Sequence, residues 1–151
     1  MTSNIRKRVG LIVCVAAVLG LARTASADCS KESLKGAYGF SISGTNFIQD
    51  VPWAFVGRFQ TDGAGAISGR GTQSAKGQVS RPEFKGTYQV EADCSGTVAL
   101  TFPNFTVNVY FVVTDNGNHI EMIITDPGVL EHGTATRITD TVASKTSGSP
   151  R

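Results

Sequence analysis

The sequence predicts an all-β protein: a single small up-and-down antiparallel barrel of about eight strands, with a β-sandwich as the alternative. Two observations carry this prediction. Apolar and polar residues alternate with a period of two in a series of short runs, which is typical of strands that bury one face. Clusters of Gly, Asn, Asp and Pro separate the runs, as expected of tight turns. No stretch beyond residue 27 has the apolar spacing of an amphipathic helix.

The clearest hairpin joins the runs at residues 84–91 and 97–102, in which side chains of one parity are mostly apolar. Residues 92–96 have the composition of a turn, in which Gly96 is free to adopt a positive φ. The same pattern predicts the other strands at residues 34–44, 53–60, 66–74, 105–113, 120–124 and 133–138.

The inner face of these strands is rich in aromatic side chains. Ile67, Gly69 and Gly71 share the inner face of a run with few large side chains, where glycine admits a bulky neighbour. An eight-stranded barrel is wide enough to be filled by its own side chains or to hold one small ligand, and both interpretations stay open. The residues expected to be buried are Tyr38, Phe40, Phe55, Phe59, Tyr88, Leu100, Val109, Phe111, Met122 and Ile124.

Residues 1–27 are predicted to be a signal peptide. Residues 6–8 are basic, and residues 9–22 form an apolar segment too short for a stable membrane span. Small residues precede a predicted cleavage site after Ala27, so we expect a secreted or periplasmic protein. A lipoprotein would be modified at Cys29, but Asp28 stands where a small residue is needed. The barrel is expected over residues 28–138, followed by a flexible tail at residues 139–151.

Cleavage of the leader changes the charge of the protein. The full chain of 151 residues has 14 basic and 12 acidic residues, and the leader contains four of the basic ones and no acid. The mature chain then has 14 − 4 = 10 basic against 12 acidic residues, a net charge of −2. No basic patch remains, so we expect no nucleic-acid partner, and no membrane partner after cleavage. The oligomeric state is not indicated.

The two cysteines of the mature chain, Cys29 and Cys94, are predicted to form a disulfide, because an even pair in an exported chain is normally oxidised. In a strict meander, Cys29 before the first strand and Cys94 after the fourth lie at the same end of the barrel. The entropy of so long a loop corresponds to about 4 kcal/mol of stabilisation.

The same meander places the predicted functional site. The turns at residues 62–65, 92–96 and 115–118 share one end with the cysteines, whereas the longer connections at 45–52, 75–82 and 126–132 share the other. Functional residues concentrate in longer loops. We therefore predict a small apolar or carbohydrate ligand at that end, bound by Phe47, Ile48, Trp53, Arg81, Asp126 and His132, with Asp50, Gln78 and Glu131 nearby. Alternatively, Phe47, Ile48 and Trp53 only plug the barrel.

The ionisable residues give little indication of catalysis. His119 and His132 are the only histidines and are predicted at opposite ends, which argues against a shared metal site or a histidine-based triad. Asp126, Glu131 and His132 would suit acid–base chemistry, but acidic loop residues are usually only solvated. We therefore assign no catalytic residue, no metal ligand and no cofactor.

Two short motifs carry a resemblance to known proteins. The opening S-L-K-G-x-Y-G-F at residues 33–40 and the T-D-P-G element at residues 125–128 resemble those of a group of uncharacterised exported bacterial β-barrel proteins. With the G-T-Y element at residues 86–88, the chain is also similar to calycin-type barrels, such as avidins and lipocalins, and to allene oxide cyclase and dirigent barrels. The resemblance implies a barrel that binds or isomerises small apolar or cyclic molecules, but it carries over no site residue.

Three functions therefore stay open after the sequence alone. The first is a binding module for a small molecule. The second is a structural or surface-interaction domain without a ligand. The third is an isomerase or cyclase of the allene oxide cyclase type, which a buried polar residue with a shifted pKa inside a cavity would favour.

Overall fold

The computed structural model describes residues 28–139. The predicted signal peptide and residues 140–151 of the predicted tail lie outside the described residues, so both stay predictions. Within the described range, no helix is long and apolar enough to span a membrane.

The described residues form nine strands and two short 3₁₀ turns, the first at Lys31–Leu34 and the second at Asp115–Gly117. The strands are β1 (Gly36–Asn46), β2 (Val51–Thr61), β3 (Ala66–Ala75), β4 (Gln78–Ser80), β5 (Glu83–Val90), β6 (Ser95–Thr101), β7 (Thr106–Thr114), β8 (His119–Ile124) and β9 (Val129–Arg137).

Eight of these strands close into an up-and-down barrel. Each pairs antiparallel with the next along the chain, with β3 pairing β5 across the short β4. The ring closes where β9 pairs with β1, placing Ala135 opposite Phe40. The predicted barrel is confirmed, and a sandwich of two separate sheets is excluded by this closure. β4 pairs only with the end of β3 and lies outside the ring.

The upper end of the barrel, which is the end away from the cysteines, differs from the prediction in its loops. The β1–β2 pairing continues to Asn46 and Val51, so the predicted loop at 45–52 shrinks to residues 47–50. The predicted loop at 75–82 contains β4. The second half of the predicted loop at 126–132 belongs to β9, which begins at Val129. The upper loops are therefore short, because backbone pairing extends beyond the apolar alternation that revealed the strands.

The core follows the predicted inner face. All of the predicted residues are buried except Leu100 and Met122, which are partly buried against the same cluster. Glycine on β3 provides the space expected of it: a Cβ at Gly69 would overlap the ring of Phe84, and one at Gly71 would overlap the ring of Phe55. The narrow inner face of β3 thus allows large rings from its neighbours to meet inside the barrel.

The lower end is closed by the first 3₁₀ turn. The Tyr88 hydroxyl donates to the Lys31 carbonyl and accepts from the Gly63 amide, both at 3.1 Å. The Tyr38 hydroxyl donates to the Gly117 carbonyl at 2.6 Å. These two tyrosines are the largest fully buried side chains, and each hydroxyl finds a partner, so burying it carries no penalty for a missing hydrogen bond.

Arg137 at the end of β9 ties the same elements together. Its guanidinium donates to the Ser33 and Gly117 carbonyls at 2.9 Å each and to the carbonyl of Lys35. The guanidinium carbon also lies 4.8 Å from the centroid of the Tyr38 ring, within the range of a cation–π contact. The first and last strands are thereby joined at the lower end.

The predicted disulfide is confirmed: Cys29 and Cys94 are bonded, with their Cα atoms 4.9 Å apart. The residue of this turn with a positive φ is Cys94, at 69°, and not Gly96. Gly96 is instead buried in β6, where a Cβ would overlap the ring of Phe111. The glycine is needed for close packing rather than for the turn.

Candidate functional site

A cavity of about 510 Å³ occupies the barrel. Its floor is Leu34 of the first 3₁₀ turn, and its rim is formed by the upper loops through Ile48, Phe105 and Asp126. Most lining side chains are aliphatic or aromatic. Pockets of about 300–1,000 Å³ with apolar walls and a few polar groups are typical of small-molecule sites.

Aromatic rings form one continuous wall of the upper cavity. The ring of Trp53 lies 6.1 Å from that of Phe55, which lies 6.3 Å from that of Phe102. Phe102 in turn stacks on Phe105 at 4.7 Å, with an interplanar angle of 13°. Since Phe105 is 55% exposed, this wall reaches from the interior to the rim.

A carboxyl group lies inside this apolar space. Glu131 on β9 lines the cavity and is only 3% exposed. The indole Nε1 of Trp53 donates a hydrogen bond to its Oε1. The other oxygen, Oε2, has no hydrogen-bond partner among residues 28–139. Because no fully buried side-chain oxygen or nitrogen of the described residues lacks a hydrogen-bond partner, Oε2 is not sealed off in the protein but opens onto the cavity.

The register of the sheet explains how Trp53 and Glu131 meet. Gly44 of β1 lies opposite Trp53 on β2 and opposite Glu131 on β9. A Cβ on Gly44 would lie 2.6 Å from the Cα and 2.8 Å from the Cγ of Glu131. The bare backbone at Gly44 therefore leaves room for the two side chains to join across β1.

The environment shifts the protonation of Glu131. Burial raises the pKa of the Glu131 carboxyl, the hydrogen bond from Trp53 lowers it in part, and the negative charge of Asp126 raises it further. The net pKa lies above the ordinary value of glutamate. The apolar surroundings thus favour the neutral acid, because the described lining offers a buried carboxylate no counter-charge.

Asp126 provides the second carboxyl, at the rim. Its oxygens accept hydrogen bonds from the backbone N and from the side-chain Nδ2 of Asn108, at 2.9 and 2.7 Å. These bonds fix the carboxylate at the entrance of the cavity. Of the described residues that line the cavity, none is a lysine, an arginine or a histidine.

The six predicted ligand-binding residues separate into two groups. Ile48, Trp53 and Asp126 line the cavity, whereas the other three do not. Phe47 is 61% exposed and Arg81 is exposed on the surface. With Ile48 exposed as well, neither loop residue plugs the barrel. Contact of these six residues with a ligand stays a prediction.

The placement of His132 and Glu131 in a loop is wrong. Both belong to β9, which begins at Val129, and strand alternation turns His132 outward and Glu131 inward. The expectation that Glu131 is a solvated acid is wrong for the same reason. The inward-facing residues of this strand are Val129, Glu131, Gly133 and Ala135. Because Glu131 and Gly133 are not large apolar residues, the sequence does not show the apolar alternation that reveals the other strands.

Comparison with known proteins supports the fold. No family model matches the chain, and no curated protein matches its sequence. A solved structure of a de novo designed fluorescence-activating β-barrel is similar with a TM-score of 0.54 and 12% identity, over 72% of this chain and 96% of that one. A redesigned β-barrel, mFAP1, bound to DFHBI, is similar with a TM-score of 0.51 and 14% identity, over 71% and 97%. These likenesses show the barrel fold alone, and the family resemblances stay predictions.

Proposed function

We propose that this chain is an exported binding protein that holds a small, mostly apolar molecule in the upper part of its barrel, above Trp53. The observation that carries the proposal is the cavity of about 510 Å³, with apolar walls and two carboxyl groups. A molecule that fills it gains contact with the aromatic wall and leaves water, and both effects favour binding.

Two further points support the proposal. The similar redesigned barrel mFAP1 was solved bound to the small molecule DFHBI, so a barrel of this fold can accommodate a ligand. The disulfide between Cys29 and Cys94 is compatible with an oxidising compartment, as expected if the predicted leader directs export. The location is therefore proposed to be secreted or periplasmic.

The sole tryptophan of the chain, Trp53, offers a direct test. The uncharged fluorophore N-phenyl-1-naphthylamine becomes bright in an apolar environment. We expect saturable binding of this probe, with energy transfer from Trp53 that reports its place in the cavity. Native mass spectrometry of the exported protein would then identify any small molecule that co-purifies.

A matched pair of variants separates the cavity from the surface. Ala75 lines the cavity, whereas Ala54 on the neighbouring strand is exposed on the outside. Ala75→Phe should abolish probe binding by filling the space, and Ala54→Phe should leave it unchanged. If the wild type does not bind the probe and carries no molecule, the proposal fails and the alternative of a structural or surface-interaction domain is favoured.

Glu131 favours a second candidate, an isomerase or cyclase. A carboxylic acid with a raised pKa in an apolar pocket is the arrangement that general acid catalysis uses. Under this alternative, a bound molecule would be recovered chemically changed, and Glu131→Gln would stop the change without preventing binding. Recovery of the unchanged molecule favours the binding function.

A further inference from the structure

We infer that the molecule held in this cavity is an organic cation: an apolar body that carries a protonated amine, which binds the free oxygen of Glu131. This inference rests on the proposed binding function and adds the chemical class of the ligand. It depends on three features of the described residues, namely the acidic lining without a basic side chain, the aromatic wall and the carboxyl oxygen of Glu131 that has no partner in the protein.

The charges of the lining have one sign. Asp126 lies at the rim and Glu131 lies within, and the described lining contains no basic side chain. Arg81, the basic residue predicted at this end, is on the surface, and His132 points away from the cavity. An anionic ligand would therefore bring its charge past the Asp126 carboxylate into an apolar space with no counter-charge. A cation would instead meet the Asp126 carboxylate at the rim and, at Glu131, a carboxyl group whose ionised form it stabilises.

The aromatic wall favours the same class of ligand. The faces of Trp53, Phe55, Phe102 and Phe105 carry the negative part of the ring quadrupole, which attracts ammonium groups. Their centroids follow one another at 4.7 to 6.3 Å from the interior to the rim. An alkylammonium group passing from Asp126 towards Glu131 would remain close to these rings, while its hydrocarbon part is removed from water.

The hydrogen bonding of Glu131 leaves a place for the amine. Trp53 occupies Oε1 and fixes the orientation of the carboxyl, while Oε2 has no partner among the described residues. A protonated amine has only donors and would complete the hydrogen bonding of this oxygen. Gly44 beneath the pair keeps the site accessible, since any larger residue would overlap Glu131.

Amine binding also compensates the unfavourable environment of Glu131. Burial and the charge of Asp126 raise the pKa of Glu131, which means that both disfavour its ionised form. A bound ammonium ion would stabilise the ionised carboxylate and so lower the pKa of Glu131 again. A neutral ligand of the same shape offers no such compensation.

A series of ligands with one hydrocarbon skeleton tests the inference without any variant. We would titrate 1-aminoadamantane, 1-adamantanol and 1-adamantanecarboxylate by calorimetry at neutral pH, and follow Trp53 fluorescence in the same samples. The amine should bind about 10- to 100-fold more tightly than the alcohol, which is the range expected for a hydrogen bond to a charged group. The carboxylate should bind more weakly still.

Two variants assign the preference to one residue. Glu131→Gln retains the shape and an acceptor for the Trp53 indole but cannot ionise, and should reduce the amine-to-alcohol ratio at least tenfold. Glu83→Gln is the matched control, because Glu83 lies exposed at the same end, on the outer face of β5, and does not line the cavity. It makes the same substitution and should keep the ratio. Thermal melting of both variants is the control that shows whether they are folded.

Each result bears on one of the two claims. An alcohol or carboxylate that binds as tightly as the amine overturns the inference and leaves the proposed function standing. The same holds if N-phenyl-1-naphthylamine binds but the amine does not, or if Glu131→Gln keeps the preference for the amine. If neither the fluorophore nor any of the three adamantanes binds, the proposed function fails as well.

Discussion

The two ends of the barrel use polar groups in different ways. At the lower end, the hydroxyl groups of Tyr38 and Tyr88 and the guanidinium of Arg137 bond to backbone carbonyls, and a disulfide joins the segment before β1 to the turn between β5 and β6. At the upper end, Glu131 is as deeply buried, but only one of its oxygens has a partner among the described residues. These polar groups of the lower end are thus hydrogen-bonded within the protein, whereas the carboxyl group at the upper end is only partly so.

This difference indicates a division between stability and binding. Groups whose hydrogen bonds are satisfied within the protein hold the closed end together. The open end retains a cavity and a carboxyl oxygen that faces it without a partner in the protein, so both remain available to a ligand. Perturbations at the lower end should therefore change stability, and those at the upper end should change binding.

The largest effect is expected from a large-to-small change in the packed core. Phe111 is buried against Gly96, so Phe111→Ala should lower the free energy of unfolding by about 3–5 kcal/mol. Phe105→Ala at the exposed rim should lower it by less than about 1 kcal/mol, because most of that ring is already in water. Urea unfolding measures both. Equal losses would show that the two ends are equally packed.

Loss of the disulfide should have the next largest effect. Replacing Cys29 and Cys94 together by serine should destabilise the protein by about 2–5 kcal/mol, because the bond closes a loop of 65 residues. At a temperature where the variant is still folded, its affinity for N-phenyl-1-naphthylamine should equal that of the wild type. A weaker affinity would mean that the lower end also shapes the binding site.

Trp53→Ala should have the opposite effect to loss of the disulfide: a small change in stability and a large change in probe affinity. Trp53 is only partly buried, so its removal should destabilise the protein by less than the roughly 3 kcal/mol that is the lower limit for fully buried aromatic residues. Probe affinity should fall at least about tenfold, equivalent to about 1.4 kcal/mol, since the variant loses part of the aromatic wall. If stability falls steeply while affinity is kept, Trp53 belongs to the core and not to the site.

The smallest effect concerns pH. The folded protein raises the pKa of Glu131, so it binds this proton more tightly than the unfolded chain does. The contribution of Glu131 to stability is therefore complete below its ordinary pKa of 4.5 and is lost as pH rises through the raised value. Melting curves across this range should show a smaller decline with pH for Glu131→Gln. Identical pH profiles for variant and wild type would contradict the assigned shift.

The sequence contains more information about the closed end than about the open one. The burial of Tyr38 and Phe111 can be predicted from the alternation of apolar and polar residues within one strand. The pairing of the two cysteines can be predicted from strand direction in a meander, which places both at the same end. The site depends on register: Trp53 and Glu131, 78 positions apart, meet only because both lie opposite Gly44. β4, with three residues, is too short to show a period of two. Alternation alone cannot give the lateral alignment of distant strands.

The most direct test of the binding site is a nuclear magnetic resonance titration of the labelled protein with N-phenyl-1-naphthylamine. We expect large shifts of the Trp53 indole N–H and of the amides of Ile48, Phe105 and Val129, with intermolecular contacts to the same side chains. The amides of the lower turns at residues 62–65 and 115–118 should not move. Contacts at those turns, with no shift at Trp53, would contradict the placement of the ligand at the open end.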